Sequence, residues 1–185
     1  PPADRMRKLA RKIWDEARPV TAGDEVDAYL TNRGLKMDRY PSVLRFHPCL
    51  GYFVKEGGKS KKVGAYPAML ACVQGQDGVA VTLHRTYLQS GRKADLPDVK
   101  KLLSAGINGA AVRLFPVADE LAVAEGIEKS LAVHLATGKP VWPALNCHSR
   151  VMYSTLGSSL VLGRTANGSA SFTMAMAARS SSALP

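Results

Sequence analysis

The chain has few cysteines and no long hydrophobic run. Its three cysteines, Cys49, Cys72 and Cys147, are odd in number and far apart. Because a disulfide framework and a zinc ribbon both need paired or closely spaced cysteines, we expect neither, and a reducing compartment is the simpler interpretation. No segment approaches the roughly eighteen apolar residues of a membrane span, and the first residues lack the hydrophobic stretch of a signal peptide. The sequence therefore predicts a cytoplasmic protein without zinc and without a membrane partner.

Acidic residues are also scarce. The chain has 15 Asp and Glu residues against 25 Lys and Arg residues, which gives a formal net charge of +10. A charge of this sign and size favours association with polyanions and makes such binding sensitive to salt. Charge alone identifies no partner, so the motifs have to narrow the choice.

The end of the chain has an unusual composition, because no acidic residue follows Glu128. Residues 147–185 contain nine serines, and their charged side chains are Arg150, Arg164 and Arg179. We expect a divergent tail rich in Ser, Ala and Gly, which is a linker, a disordered tail or the product of a reading-frame change. Within it, Phe172–Ala178 is predicted as a short helix.

The first part of the chain predicts two helices. Asp4–Ala17 keeps apolar residues at helical spacing while basic residues crowd the other face, and that basic face is either solvated or a nucleic-acid contact. A second helix is expected from Asp24, its N-cap, to Arg33, with Gly34 ending it.

Short strands, loops and one further helix are expected between these helices and residue 116. The pattern of apolar, glycine and proline residues places them in order along the chain. They are a strand at Val43–Phe46 that Pro48 ends, a mobile basic loop at Val54–Gly64, a hairpin of Tyr66–Val73 and Val79–Leu88, a short helix at Val99–Ser104 and a strand at Ala110–Phe115.

The stretch from Leu121 to Leu145 predicts a strand, a helix and a second strand. Leu121–Ala124 is a short apolar run typical of a strand buried on both faces, and Glu125-Gly126 forms the turn after it. The helix begins at Ile127, and Gly138 ends it before the apolar run Pro140–Leu145. Such a unit implies parallel pairing, which places Glu125 at the carboxyl end of a parallel strand, where α/β sheets bind their ligands.

Several short motifs between Ala10 and Leu145 together resemble one family. The sequence is similar to the toprim-containing primases and primase-helicases of phages, plasmids and integrative elements. The landmarks are Ile13-Trp-Asp-Glu-Ala-Arg-Pro19, Ala28-Tyr-Leu-Thr-Asn-Arg-Gly-Leu35, Leu44-Arg-Phe-His-Pro48, His84-Arg-Thr-Tyr-Leu88, Ala111-Val-Arg-Leu114 and Val123-Ala-Glu-Gly-Ile-Glu128. The resemblance implies a toprim fold, a small parallel sheet flanked by helices, and a role in DNA replication.

The resemblance also implies a catalytic role for Glu125. In that family a glutamate after the first toprim strand acts with a later Asp-x-Asp pair to bind magnesium, which offsets the negative charge that builds up during phosphoryl transfer. Here the Asp-x-Asp pair is absent from these residues, because no acidic residue follows Glu128, and the 185 residues do not include the zinc-binding domain that such primases often carry upstream. Magnesium is thus the one cofactor implied, and its site is incomplete.

Glu125 has two interpretations. It is either a vestigial magnesium ligand or a carboxylate that stabilises the amino terminus of the following helix, an effect of about 0.3–1 kcal/mol at an exposed site. For Glu128 we favour the second of these roles.

The fold class predicted from these patterns is α/β, with an α+β amino-terminal part followed by a partial toprim, Rossmann-like parallel sheet. We expect three segments. Residues 1–115 form the primase-type region with a basic surface, residues 116–146 the partial toprim unit, and residues 147–185 the divergent tail.

Two functions of different classes follow. The first is a primase-derived module of a mobile element that binds single-stranded DNA or a primer-template, without independent primer synthesis. The second is a catalytically inactive interaction protein that binds a host or element-encoded replication or defence component; a decayed fragment without function is a third option. For the first function Tyr87 either stacks on a base or belongs to the core. The residues expected to contact phosphates are Arg85, Arg92, Lys93, Lys100, Lys101 and Arg113.

Overall fold

The computed structural model describes residues 2–75, 77–104, 110–118, 120–144, 158–162 and 174–179. Helices and strands are mixed in an α+β arrangement, with one antiparallel sheet and one small parallel pairing. The chain divides into two compact units, Pro1–Cys72 with Val81–Ala105, and Val73–Ala80 with Gly106–Pro185. In the described part of the chain, no helix has the length and apolar character needed to cross a bilayer.

The two helices of the first unit confirm the periodicity of the sequence. Helix α1 spans Pro2–Glu16 and helix α2 spans Glu25–Thr31. Asp24 is the N-cap of α2, because its carboxylate accepts hydrogen bonds from the backbone N–H groups of Val26 and Asp27 at 2.9 Å. Such a cap satisfies N–H groups that have no partner inside the helix, and it contributes about 1 kcal/mol.

The antiparallel sheet contains the strands β1 to β6. Within the described residues its order is β1-β2-β3-β4-β5, and β6 pairs with β4. The described pairings of β2 with β3, and of β4 with β5 and β6, are antiparallel. The strands are β1 (Arg18–Pro19), β2 (Leu44–Glu56), β3 (Lys59–Gln74), β4 (Ala80–Gln89), β5 (Arg92–Lys93) and β6 (Lys100–Leu102).

The predicted mobile loop at Val54–Gly64 was wrong, because these residues form the ends of β2 and β3. Gly57 and Gly58 both have positive φ angles, 57° and 78°. Two consecutive residues with positive φ match the twist of a two-residue hairpin turn, so the strands continue directly into the turn. We refer to Phe53–Val63 as the basic ribbon.

Three other sequence predictions in the first 115 residues also need correction. Strand β2 does not end at Pro48, since the pairing is irregular between His47 and Leu50 and a proline is tolerated at such a bulge. The helix expected at Val99–Ser104 is wrong, because Lys100–Leu102 is a strand held by pairing with β4. The strand expected at Ala110–Phe115 is reduced to an isolated bridge between Ala111 and Gln74.

The core of the first unit lies between α1 and the sheet. Ile13 and Ala17 of α1 are buried in one cluster with residues of β2, β3 and β4. Tyr52 and Tyr87 pack edge to face within it, with ring centroids 5.0 Å apart. The Tyr87 hydroxyl donates a hydrogen bond to the Gly51 carbonyl oxygen at 2.9 Å. Tyr87 is therefore a core residue, and the base-stacking alternative is excluded by its complete burial.

The second unit contains the predicted strand–helix–strand segment. Strand β7 (Glu120–Glu125) pairs in parallel with β8 (Val141–Ala144), and helix α3 (Gly126–Thr137) connects them. Side chains on both faces of β7 are buried, because Leu121 and Val123 pack with Trp142 while Ala122 and Ala124 pack with Val141. This explains why the run has no polar alternation.

Two strands of the predicted tail are described. Strand β9 is Ser158–Leu162 and strand β10 is Met174–Arg179, and β10 pairs antiparallel with both β9 and β7. The short helix expected at Phe172–Ala178 was therefore wrong. The rest of residues 147–185 lies outside the described residues.

Candidate nucleic-acid interface

The six cations expected to bind phosphates have different environments. Lys100 and Lys101 lie on β6, where Lys100 is exposed. The Lys101 ammonium is held at the base of the basic ribbon, because Nζ donates a hydrogen bond to the Phe53 carbonyl oxygen at 2.7 Å. It also lies 4.1 Å from the centre of the Tyr52 ring and 3.7 Å from Asp98 Oδ2. Its side chain keeps 20% exposure.

Arg85 lies opposite Lys101 in the pairing of β4 with β6, but its side chain is buried. Nη2 donates to the Leu102 carbonyl oxygen at 3.0 Å and Nη1 to the Tyr87 hydroxyl at 3.4 Å. Burial lowers the pKa of the guanidinium, and the neighbouring Tyr87 acts in the opposite direction. These contacts connect β6 to the core, which is a structural role.

Arg92 and Lys93 line a surface groove of about 550 Å³ together with Arg33. Both side chains of β5 are exposed, and the Arg33 guanidinium lies 5.8 Å from the centre of the Tyr29 ring. We call this feature the cationic groove. Its complete lining is Tyr29, Asn32, Arg33, Gly91, Arg92 and Lys93.

The turn that carries Arg92 and Lys93 is fixed to α2 and the residue that follows it. The Asn32 side-chain amide donates a hydrogen bond to the Gly91 carbonyl oxygen at 3.0 Å. The Gly91 N–H donates to Glu25 Oε1 at 2.5 Å. Gly91 has a φ of 66°, and a Cβ placed on it would lie 2.6 Å from Asn32 Nδ2. Close approach of the turn to the helix therefore requires glycine, and Arg33 and Arg92 line the same groove.

Arg113 belongs to the second unit, whereas the other five predicted cations belong to the first. Its Nη2 donates to the Gly75 carbonyl oxygen at 2.8 Å, and its guanidinium lies 5.3 Å from the centre of the Trp142 ring. The side chain is half-buried in these contacts.

Glu125 follows β7 at the carboxyl end of the parallel pair, the position expected from the sequence. Its side chain is 74% exposed, and Oε2 lies 2.9 Å from Lys129 Nζ one turn along α3. It is the N-cap of α3 without a side-chain capping bond, and Gly126 makes the turn with a φ of 78°. Both Glu125 and the buried Glu128 lie where a carboxylate stabilises a helix amino terminus.

The residues around Glu125 do not fit a magnesium site on their own. Among the described residues, no three His, Cys, Asp or Glu side chains are grouped so that they could hold a metal ion. Magnesium takes oxygen ligands in an octahedron, and a single exposed carboxylate already paired with a lysine is a weak ligand. We therefore derive no step through a metal.

A family model matches residues 4–114 of the chain. The chain belongs to the DUF7146 family, which is described as a domain of unknown function. The DUF7146 region covers α1 to β6, and with them all six predicted cations, whereas Glu125 lies beyond it. No curated protein and no solved structure matches the chain.

Two sets of cations within the DUF7146 region were missed at the sequence level. Arg33 was predicted only as the last residue of a helix. The motif Asn32-Arg33-Gly34 indicates a helix end, and side chains at a helix end are exposed, so the motif could have identified Arg33 as a surface cation. The lysines of the basic ribbon were predicted only as part of a mobile loop. In the structure Lys55, Lys59 and Lys62 are exposed, and among the described residues they have no ion-pair partner.

Proposed function

We propose that this chain is a primase-derived, toprim-type module of a mobile element that binds DNA during replication, as a single strand or a primer-template. It does not synthesise primers on its own. The proposal joins the family landmarks of the sequence to the basic groups of the first unit. A chain with a net charge of +10 attracts polyanions over long distances, and DNA is one of them.

The observation that carries the proposal is the cationic groove. Three positive side chains from two separate elements, Arg33, Arg92 and Lys93, converge on one depression of about 550 Å³. Positive side chains that line one depression give it a positive potential, which attracts an anion. The clamp formed by Asn32 and Glu25 on Gly91 holds the cluster in place before any ligand arrives, which lowers the entropic cost of binding.

The cations of α1 support a different role. Arg11 and Lys12 each lie 3.9 Å from an acidic side chain one turn along the helix, Asp15 and Glu16. Such ion pairs stabilise a solvated helix face, and the acidic partners offset part of the positive charge that an anionic ligand would bind. We therefore place the phosphate contacts in the groove and on β6 rather than on α1.

The absence of primer synthesis is proposed from the set of carboxylates in the sequence. Nucleotidyl transfer assisted by two ions needs several carboxylates around the reacting phosphate. Glu125 occupies the expected strand end, but the sequence contains no Asp or Glu after Glu128. If the chain takes part in synthesis, carboxylates outside these 185 residues have to supply the missing ligands.

The test is a comparison of charge variants that differ only in location. Arg33→Gln with Arg92→Gln removes two groove charges, and Arg11→Gln with Lys12→Gln removes two from α1. We expect the groove variant to bind a fluorescent single-stranded oligonucleotide about tenfold more weakly, while the α1 variant binds nearly as well as the parent protein. Fluorescence anisotropy at several salt concentrations measures both.

The competing function makes the opposite prediction. An interaction protein would retain no oligonucleotide in the same assay and would instead capture one replication or defence protein in a pull-down. Equal affinities of the groove variant and the parent protein would also contradict the proposal, provided that circular dichroism shows both to be folded.

A further inference from the structure

The basic ribbon is an exposed arm with an unusual composition. It contains four lysines and one glutamate, and all residues from Lys55 to Val63 are exposed. The glutamate is already paired, because Glu56 Oε2 lies 2.7 Å from Lys61 Nζ. Lys55, Lys59 and Lys62 consequently keep their charges available to an external anion.

The register of the hairpin divides these lysines between two faces. Phe53 is opposite Lys62 and Lys55 is opposite Ser60, whereas Val54 is opposite Lys61 and Glu56 is opposite Lys59. Directly opposed residues share a face, and so do residues two apart along a strand. One face therefore carries Phe53, Lys55, Ser60 and Lys62 and has no acidic residue; we call it the Phe53 face. The opposite face carries the pair Glu56–Lys61, together with Lys59, and its Val54 packs on the core.

Phe53 is an aromatic residue that the core does not use. Its side chain is 43% exposed, although a phenylalanine at the base of a hairpin could pack inward. The ring lies against Gly51, where an added Cβ would come within 2.9 Å of Phe53 Cε2. Because Gly51 has no side chain, the Phe53 ring can lie against its backbone. The Lys62 side chain is close by, since its Cε would lie 3.4 Å from the same added Cβ.

The ribbon is also fixed at its base. The hydrogen bond from Lys101 Nζ to the Phe53 carbonyl oxygen connects it to β6, and Tyr87 donates to Gly51 just before it. The backbone that carries the Phe53 ring is consequently held to the core, and the ring itself is 43% exposed. A prearranged aromatic surface loses little entropy when a flat ligand stacks on it.

We propose that the Phe53 face of the basic ribbon binds single-stranded nucleic acid, with the Phe53 ring stacking on an unpaired base and Lys55 and Lys62 binding the phosphates on either side. An exposed aromatic ring between lysines is the combination that single-strand-binding surfaces use, because every base has a flat face and every nucleotide a negative charge. Bases inside a duplex are already stacked on each other, so duplex DNA offers no such partner. The inference rests on the proposed function for its ligand class, but on separate residues.

The experiment separates stacking from charge by using two probes, a fluorescent oligo-dT and an abasic oligonucleotide of equal length. Phe53→Leu should weaken binding of oligo-dT by about tenfold and leave binding of the abasic strand unchanged. Phe53→Trp should retain the affinity, and the fluorescence of the new tryptophan should be quenched on binding. The full chain is used, and anisotropy reports the affinities.

Matched controls come from the chain itself. Leu9→Ala changes another exposed apolar residue, which is 40% exposed on α1, and should not alter the affinity. Lys55→Gln with Lys62→Gln should weaken binding of both probes, whereas Lys59→Gln with Lys61→Gln, on the opposite face, should have a much smaller effect.

The outcomes distinguish this inference from the proposed function. If the parent protein binds neither probe, both fail. If it binds oligo-dT through Arg33 and Arg92 while Phe53→Leu has no effect, or weakens both probes equally, the ribbon proposal alone is overturned. Equal losses from the two lysine pairs would likewise refute the assignment to the Phe53 face.

Discussion

Asp27 shows how a single residue of α2 holds segments on both sides of the helix. Its carboxylate accepts hydrogen bonds from the Gly23 N–H at 2.8 Å and from the Tyr40 hydroxyl at 2.7 Å. The Gly23 bond, followed by the Tyr40 bond, holds the pKa of Asp27 below its ordinary value, against the opposing effect of burial. The pKa of Tyr40 is raised to about 12, first by burial and then by the bond to Asp27.

The pH dependence of stability follows from these two shifts. Because the pKa of Asp27 is lower in the folded state, its contribution is present above the ordinary pKa of about 4 and is lost as the pH falls through the lowered value. Because the pKa of Tyr40 is raised, its contribution is present below about pH 10 and is lost as the pH rises towards 12. We expect Tyr40→Phe to cost about 1–2 kcal/mol at pH 7 and to reduce both losses.

Urea unfolding at pH 3, 7 and 11 measures this prediction. The control is Tyr66→Phe, since Tyr66 is half-buried and its hydroxyl has no hydrogen-bond partner among the described residues. Equal effects of the two substitutions at every pH would show that Asp27 gains nothing from Tyr40.

At the scale of elements, the turn between β4 and β5 sets the position of the cationic groove. Ser90 has a φ of 52° and Gly91 a φ of 66°. Two positive φ angles suit Asn-Gly better than Ser-Gly, because asparagine adopts this conformation with less strain. Ser90→Asn should therefore raise the free energy of unfolding by a few tenths of a kcal/mol, roughly. Gly91→Ala should lower it by about 1–2 kcal/mol, because alanine is strained at this φ and its Cβ would displace Asn32.

Thermal unfolding combined with anisotropy checks both substitutions. Ser90→Asn should leave oligonucleotide binding intact, whereas Gly91→Ala should weaken it by moving Arg92 and Lys93. A Gly91→Ala protein that is as stable as the parent would show that the clamp on the turn is not formed.

Elements whose apolar residues recur at a regular spacing were predictable from the sequence, whereas strands that form only by pairing with another strand were not. Helices α1 and α2 and the β7-α3-β8 unit followed from apolar spacing and from Asp24, Gly34 and Gly138. The strands of the basic ribbon were not predicted because lysine and glycine are typical of loops, and because these strands are stabilised mainly by pairing with each other. Strand β6 was missed for a similar reason, since the helical spacing of Val99–Ser104 gives no information about pairing with β4.

For the molecule as a whole, the sequence located basic and acidic residues along the chain better than it described their surroundings. It placed Glu125 at a strand end and pointed to basic residues between β4 and β6. It could not show that Arg85 faces the interior, that Arg113 belongs to the other unit, or that Arg33 and Arg92 line one groove. These facts depend on contacts between residues that are far apart in the chain, which a local pattern does not contain.

The salt dependence of binding tests whether the cationic groove and the basic ribbon hold one strand. For single strands, the slope of log affinity against log salt falls by about 0.7 for each phosphate contact that is lost. Removing Arg33 and Arg92 should reduce the slope by about 1.4, and removing Lys55 and Lys62 by a similar amount. If one strand contacts both surfaces, the variant lacking all four cations should show a reduction of about 2.8, because separate phosphates are released at each surface.

If the surfaces bind separate strands, each slope reports one surface only. The slope of the variant lacking all four cations should then fall by no more than the larger of the two single reductions. Anisotropy titrations with a labelled oligo-dT at four salt concentrations distinguish these results, with the α1 variant lacking Arg11 and Lys12 as the control for net charge.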